Sequence, residues 1–290
     1  MRSFRLAILI AVGALAAITA GAQRAGAAQA VTLPDRKEVE DALPEGGSMT
    51  GREIFDRFLE NRLHSMLQYQ TVVSRDPGGS EQTMHFWVRW KDYRDKDKKA
   101  VDGVYAKTLV KFDAPDDMRA TGFLMVVNAD RSNDQFVWSP STGRVRRVDL
   151  RGVGVMGTDY TFDDIAWKNL EDADYERLPD EEVDGVPVYV VEVTVKPTVK
   201  SSYKTMRTWI EKEHFVPLHS VYRDANGVDT REMRATAASL HDFDGTWIAK
   251  ESTMLNLKEK TSTTIVIERL DPNIDLSERH FSQLQLTKRR

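Results

Sequence analysis

The pattern most suggestive of chemistry in this 290-residue sequence is a glycine cluster at residues 152–157 (GVGVMG), which has the glycine spacing of a dinucleotide-binding fingerprint. That fingerprint binds pyrophosphate only where a buried parallel strand enters it and a helix begins within it. The preceding segment, Arg144 to Val148, is too charged for such a strand, and the next helix start is delayed to Thr161. We therefore interpret the cluster as a glycine-rich connection and predict no cofactor.

A second pattern is the pair Ser201 and Lys204, whose spacing matches the Ser-x-x-Lys of penicillin-recognising enzymes. That chemistry needs both residues at a helix start. Here they lie at the start of a predicted strand, on which residues three apart point to opposite faces. The sequence also lacks the Gly-x-Ser-x-Gly elbow of the common α/β lipases and esterases. These observations favour a protein that is not an enzyme.

Candidate metal ligands are also sparse. The six histidines are scattered without a His-Glu-x-x-His or similar close pair, and the sequence contains no cysteine. Residues 224–229 (DANGVD) resemble a calcium-binding loop but lack its closing glutamate, and strand patterns flank them. We interpret this segment as a hairpin turn and predict no metal site.

Composition and charge indicate an exported globular protein. Arg2 and Arg5 precede an apolar run from Leu6 to Ala20, and small residues follow at 25–30, so residues 1–30 read as a signal peptide cleaved between about 22 and 30. Loss of three arginines would change the net charge from −4 to −7, which argues against nucleic-acid binding. No later run is long and apolar enough to cross a bilayer. We expect residues 31–290 to form one domain with peripheral membrane contact only.

From residue 66 onward the hydrophobic pattern has a period of two. Met84, Phe86, Val88 and Trp90 alternate with residues of the opposite strand face, and turn pairs such as Asp184-Gly185 separate similar runs. About eleven or twelve strands are predicted, in one large meandering antiparallel sheet. Besides residues 83–90, they include 106–112, 122–128, 135–139, 144–150, 188–196, 203–211, 217–222, 230–240, 246–257 and 261–270.

Helices are few. Thr50 and Glu53 form a capping box, and the apolar residues after it recur on one helical face, which predicts a helix that covers the sheet. Shorter helices are predicted at 36–43, from Thr161, and at 277–281. The apolar residues of the capped helix are Ile54, Phe55, Phe58, Leu59 and Leu63.

A nine-residue segment at 157–165 (GTDYTFDDI) is similar to the Gly-Ser-Asp-Phe-Ser-Tyr-Glu-Asp-Leu signature of the LolA-like outer-membrane lipoprotein-sorting proteins of Gram-negative bacteria. The flanking segments agree in order. Phe136 to Val148 resembles that family's aromatic-rich and basic strands, and Trp209 to Leu218 resembles its paired Trp-Ile and Pro-Leu strands. The resemblance covers about residues 50–290. It implies a mainly β fold, an incomplete, half-open antiparallel β-barrel of the LolA/LolB type, covered by helices around an apolar cavity.

The resemblance further implies a periplasmic carrier that binds lipid or an acylated protein for transfer toward the outer membrane. Some members accompany transporters of the RND type, which makes such a transporter an expected partner. One alternative is a non-carrier envelope adaptor, with a filled core, that docks a transporter or an assembly machine. Another is an enzyme acting on envelope lipids, which would need His85, Ser139 and Asp159 to converge.

The predicted site is an apolar cavity beneath the capped helix. A large, strongly bent sheet with few helices has more concave apolar surface than its own side chains fill. In this hypothesis Ile54, Phe55, Phe58 and Leu59 form a lid over a cavity lined by Phe86, Val88, Phe123, Met125, Trp138 and Trp209. In LolA a strand arginine hydrogen-bonds to the lid helices and is released by cargo, and Arg89 is the nearest match to it.

Overall fold

The structure, a computed structural model, describes residues 49–149, 154, 157–161, 164, 170–199 and 201–288. The predicted signal peptide, the helix at 36–43 and most of the helix expected from Thr161 lie outside those residues. The described helices are α1 (Gly51–Glu60) and α2 (Gln283–Thr287). The strands are β1 (Ser65–Arg75), β2 (Glu81–Asp92), β3 (Val104–Ala114), β4 (Gly122–Asn128), β5 (Asp134–Trp138), β6 (Val145–Arg147), β7 (Ala173–Val183), β8 (Val186–Val195), β9 (Thr205–Glu211), β10 (Pro217–Arg223), β11 (Asp229–Ala235), β12 (Leu240–Phe243), β13 (Thr246–Ala249), β14 (Glu251–Asn256) and β15 (Thr261–Pro272). Short 3-10 turns occupy Leu170–Asp172, Ala237–Ser239 and Glu278–Phe281.

Thirteen of these strands form one antiparallel sheet, in the order β6-β5-β4-β3-β2-β1-β15-β14-β11-β10-β9-β8-β7. Strands β1 to β6 form one half as a meander, β7 to β11 form the other half, and β14 and β15 join the two. The end strands β6 and β7 do not pair with each other in the described part of the chain, so the sheet is not closed into a barrel. The predicted fold class, a large and open antiparallel sheet with few helices, is confirmed.

The sheet is strongly curved. Val110 on β3 and Thr208 on β9 line the same cavity, although their strands lie seven spacings apart in the sheet. In a flat sheet that separation would be about 34 Å. The face that carries the cavity is therefore concave, and the side chains of each strand alternate between this face and the convex face.

The strand predictions needed correction in the second half of the chain. Strand β7 was not predicted, because its sequence (ADYERLPDEEV) is rich in charge and contains Pro179, features that an edge strand tolerates. The run at 246–257, predicted as one strand, is divided between β13 and β14. Asp244 and Gly245 both have positive φ and form a tight turn, so β13 pairs locally with β12 in a separate hairpin.

Helix α1 begins as the capping box predicts. The Glu53 amide donates to Thr50 Oγ1 at 3.2 Å, and the Thr50 amide donates to Glu53 Oε2 at 2.7 Å. The helix then starts directly on the backbone of β7, because a Cβ at Gly51 would lie 2.7 Å from the amide nitrogen of Arg177. Only glycine permits this approach. None of the helices in the described residues is both long and apolar enough to cross a membrane.

The β6–β7 connection passes from one edge of the sheet to the other, and Asp159 fixes it to the central strand β15. The Asp159 amide donates to Thr263 Oγ1 at 2.9 Å, while the hydroxyls of Thr261 and Thr263 donate to the Asp159 carboxylate at 2.5 and 2.9 Å. The next residue, Tyr160, shares a 2.9 Å hydrogen bond with Ser252 on β14. These contacts give a physical role to the Gly-Thr-Asp-Tyr segment that carried the family resemblance.

The C-terminal segment covers the convex face of β3 to β5. Leu276, Phe281 and Leu286 pack there in one apolar cluster with residues of these strands. Lys111 is only 5% exposed, and its Nζ donates to the carbonyl oxygens of Ala120 and, at 2.8 Å, Leu286. Burial lowers the pKa of the Lys111 ammonium to about 8. The lysine thereby fastens the last helical turn to the sheet.

Replacement of Asp159 by alanine should lower the free energy of unfolding by about 3 kcal/mol, because the hydroxyls of buried Thr263 and half-buried Thr261 lose their acceptor. Urea denaturation followed by tryptophan fluorescence measures the change. The matched control is Asp174→Ala, whose side chain is 76% exposed, and it should change stability by less than about 0.5 kcal/mol. Equal effects of the two substitutions would show that Asp159 does not anchor the connection.

Lys111 should make stability depend on alkaline pH. Its pKa is about 8 in the folded protein against 10.5 for the free side chain, so between these values the unfolded chain holds a proton that the native protein has released. The free energy of unfolding contributed by this group therefore rises with pH across that window, by on the order of 2 kcal/mol. The stability difference between the native protein and Lys111→Met, measured from pH 7.5 to 10.5, isolates this term. A difference that stays constant with pH would contradict the shift.

Candidate functional site

A cavity of about 510 Å³ lies against the concave face of the sheet. This volume falls within the range of about 300–1,000 Å³ that is typical of small-molecule sites. Its wall is mainly apolar and draws on both halves of the sheet and on the central strands. The apolar wall residues include Val72, Phe86, Val88, Val110 and Phe112 from one half, Met206, Met233 and Ala235 from the other, and Met254, Ile265 and Ile267 from β14 and β15.

Two elements cover the cavity, helix α1 and the β12–β13 hairpin; we refer to them together as the cover. Phe58 of α1 and Trp247 to Ala249 of the hairpin line the cavity. Asn61, which ends α1, joins them: its Nδ2 donates to the Trp247 carbonyl at 2.8 Å, and its Oδ1 accepts from the Trp247 amide at 2.9 Å. A turn at Asp244-Gly245 was predicted, but not that the strands beside it form a hairpin separate from the main sheet.

The β9–β10 turn supports the hairpin. The rings of His214 and Trp247 lie 3.8 Å apart between centroids, and His214 Nδ1 lies 3.1 Å from Glu211 Oε2. Glu211, Glu213 and His214 are close enough to suggest a metal site. The Glu211 carboxylate, however, already accepts hydrogen bonds from the backbone amides of Glu213 and His214. We therefore assign this cluster to the turn and its contact with the cover.

Lys98 connects α1 to the opposite half of the sheet. The helix packs on β7 and β8, whereas Lys98 lies in the β2–β3 loop. Lys98 Nζ lies 2.8 Å from Asp56 Oδ1 and 3.0 Å from Glu60 Oε1, and the first of these bonds is the main cause of a raised Lys98 pKa. All three side chains are at least a third exposed, so each pair contributes only about 0.2–1 kcal/mol. Lys98 is thus a weak connection between α1 and the β1–β6 half of the sheet.

The β6–β7 connection closes the other end of the cavity. Thr158, Tyr160 and Asp164 line that end. The Asp164 carboxylate accepts hydrogen bonds from the Thr161 amide and hydroxyl at 2.6 and 2.8 Å and from the Tyr203 hydroxyl at 3.1 Å. Burial, followed by the Asp164 charge, raises the pKa of Tyr203. This end is polar but its tyrosines are uncharged at neutral pH.

The structure brings together some of the predicted site residues. Phe58, Phe86 and Val88 line the cavity. The other three predicted lid residues, Ile54, Phe55 and Leu59, point into the core between α1 and the β7–β10 half of the sheet. Phe123 and Met125 are buried on β4, in the same apolar cluster as Phe86.

Three predicted site residues lie on the convex face, away from the cavity. Trp138 packs beneath the C-terminal segment. Trp209 donates to Glu181 at 2.8 Å and stacks on His219, and the Arg89 guanidinium lies 4.6 Å above the Trp87 ring. None of the hydrogen bonds among the described residues joins Arg89 to α1. Side-chain alternation explains the corrections at Arg89 and Trp209, since their strand neighbours Val88 and Thr208 point into the cavity.

The residues considered for an enzyme do not form a shared site. His85 Nδ1 pairs with Thr71 at 2.9 Å on the convex face, Ser139 pairs with Ser141 at 2.7 Å, and Asp159 holds the β6–β7 connection. Each side chain has its own partners in a different part of the fold. These three residues therefore do not supply the convergent site that the enzyme alternative required.

Removal of the Lys98 charge should loosen the cover. We expect Lys98→Gln to increase hydrogen exchange of the α1 backbone amides about two- to tenfold, because two partly exposed ion pairs are lost. Lys96→Gln is the matched control, since Lys96 is exposed in the same loop. Added salt should increase exchange in the native protein but not in Lys98→Gln. Equal exchange in all three proteins would show that this link does not hold the helix.

Comparison with known proteins identifies the family and the fold. A family model described as an uncharacterized protein matches residues 105–288, more than half of the chain. No match to a curated protein was found.

Three solved structures share the architecture. A domain described as an outer-membrane lipoprotein-sorting protein from Vibrio parahaemolyticus has a TM-score of 0.72 and 22% identity, with 82% of this chain and 98% of that one covered. A DUF1329 family protein from Desulfovibrio piger has a TM-score of 0.74 and 22% identity, with coverage of 81% and 97%. A LolA superfamily protein from Nitrosomonas europaea has a TM-score of 0.63 and 19% identity, with coverage of 81% and 98%. At these identities the likeness establishes only the fold, which is that of the LolA-like lipoprotein-sorting proteins. The family model that matches residues 105–288 shows that this chain belongs to the DUF1329 family.

Proposed function

We propose that this protein is a periplasmic carrier that binds lipid or an acylated protein in its cavity for transfer toward the outer membrane. The observation that carries the proposal is the mainly apolar cavity of about 510 Å³ beneath a two-part cover. The fold of the lipoprotein-sorting proteins supports it, as does the apolar run at residues 6–20 that reads as part of a signal peptide.

The physical need for a carrier follows from the cost of exposing hydrocarbon to water. Each methylene group costs about 0.8 kcal/mol, so a sixteen-carbon chain faces a barrier of roughly 12 kcal/mol on leaving a bilayer. A preformed apolar cavity offsets that cost without any catalytic group. The wall residues contributed by β1 to β3 and by β9 to β15 supply such a surface.

The cover provides the entrance in this proposal. Ile54 and Phe55 are fully buried against the β7–β10 half, so α1 remains with that half. Its links to the rest of the cavity rim are polar, through Lys98 and through the bonds between Asn61 and Trp247. Opening at this side would break a few polar contacts and leave the apolar core intact.

The alternative of a non-carrier adaptor requires a filled core. The cavity argues against that requirement, although a carrier can also dock a transporter. An RND-type transporter therefore stays a proposed partner. In this proposal the protein meets the transporter at the membrane surface and makes only peripheral contact with the membrane.

Phe58→Asp should abolish lipid binding, because an unpaired carboxylate in an apolar cavity costs several kcal/mol, a loss of more than about 100-fold in affinity. The measurement is titration of a fluorescent phospholipid, which the native protein should bind with micromolar or tighter affinity. Arg57→Asp places the same side chain on the exposed face of α1 and is the matched control.

Lipid extraction of freshly purified native protein, followed by mass spectrometry, is the independent measurement. The carrier proposal fails if this extract contains no lipid and the native protein also takes up none. If Phe58→Asp bound the phospholipid with the affinity of the native protein, binding would instead occur outside the cavity.

A further inference from the structure

Two glutamine side chains interrupt the apolar wall of the cavity. Gln68 and Gln70 lie on β1 and both line the cavity. Their partners on β2 are Val88 and Phe86, and Gln70 also faces Ile267 on β15. Gln70 is 93% buried, with a relative exposure of 7%. A buried amide in such apolar surroundings needs hydrogen-bond partners.

The two amides satisfy each other only in part. Gln68 Nε2 donates to Gln70 Oε1. A primary amide offers two N–H donors and a carbonyl acceptor, so this single bond leaves the Gln70 amino group and the Gln68 carbonyl without a partner among the described residues. The count does not depend on how the amides are oriented, since one amino group and one carbonyl stay unused in either orientation.

The cavity offers nothing to neutralise an anion. Its lining residues within the described part of the chain include no lysine, arginine or histidine, and their one charged group is the carboxylate of Asp164. Asp164 already accepts hydrogen bonds from Thr161 and Tyr203. A fatty-acid carboxylate buried in this cavity would therefore lose its hydration without gaining a cation. A neutral polar group would not incur this cost.

We propose that Gln68 and Gln70 form a polar anchor that selects neutral acyl derivatives, with an ester or amide carbonyl and a hydroxyl or N–H donor, over free fatty-acid anions. The carbonyl of such a ligand accepts from the free Gln70 amino group, and its donor reaches the free Gln68 carbonyl. This inference rests on the proposed carrier function and specifies the class of acyl ligand.

The test compares two ligands of equal acyl-chain length on the protein without its predicted signal peptide. Monopalmitoylglycerol and palmitate are each used, below their aggregation concentrations at pH 8.5, to displace the bound fluorescent phospholipid. Palmitate is ionised at this pH. The native protein should bind monopalmitoylglycerol at least about tenfold more tightly than palmitate.

Gln70→Leu tests the anchor directly. It should weaken monopalmitoylglycerol binding about five- to tenfold and leave palmitate nearly unchanged, which reduces the preference. Gln82→Leu makes the same change at an exposed position on β2 and should leave the preference intact. An unchanged or raised unfolding temperature of Gln70→Leu shows that the variant folds, because it replaces an incompletely bonded buried amide by an apolar group.

The outcomes separate this inference from the function on which it rests. Equal affinity of the native protein for the two ligands, failure of monopalmitoylglycerol to displace the phospholipid, or an undiminished preference in Gln70→Leu would each overturn the anchor while lipid binding stands. Failure of the native protein to bind even the phospholipid, with no lipid in its extract, would remove the carrier function itself.

Discussion

The structure depends on a buried carboxylate at the centre of a curved sheet. A chain that builds one half of the sheet from β1 to β6 and the other from β7 to β11 must cross between the two free edges. Asp159 makes that crossing stable, because the hydroxyls of Thr261 and Thr263 and its own backbone amide form hydrogen bonds that compensate for the burial of its charge. The crossing segment then closes one end of the concavity, which makes a cavity out of a groove.

The two faces of the sheet are stabilised in different ways. The convex face is covered by the C-terminal segment, where apolar packing and the Lys111 hydrogen bonds combine. On the concave face α1 is packed firmly on β7 and β8, but its contacts across the cavity are polar and partly exposed. Exposed ion pairs contribute little compared with buried apolar surface. Weak polar contacts therefore lie at the entrance to the apolar cavity.

The chemistry of the wall determines what such a space can hold. Apolar side chains from both halves favour hydrocarbon, and the absence of cationic side chains among the described lining residues disfavours an anion. The amides of Gln68 and Gln70 add a small number of directional contacts. A site of this kind combines affinity from buried area with selectivity from a few polar groups, in agreement with the general composition of ligand cavities.

Local features of this protein are determined by the sequence itself. The Thr50–Glu53 box starts α1, the alternation around Phe86 and Val88 defines a strand with two distinct faces, and the Gly-Thr-Asp-Tyr segment marks the crossing connection. Only the tertiary structure decided which apolar residues meet. Trp138 and Trp209 are as apolar as Phe86, but both faces of this sheet are covered, so apolarity alone does not distinguish the concave face from the convex one. The charged edge strand β7 and the separation of the β12–β13 hairpin from the main sheet were likewise hidden. Curvature and docking of distant segments are set by long-range contacts that no local pattern encodes.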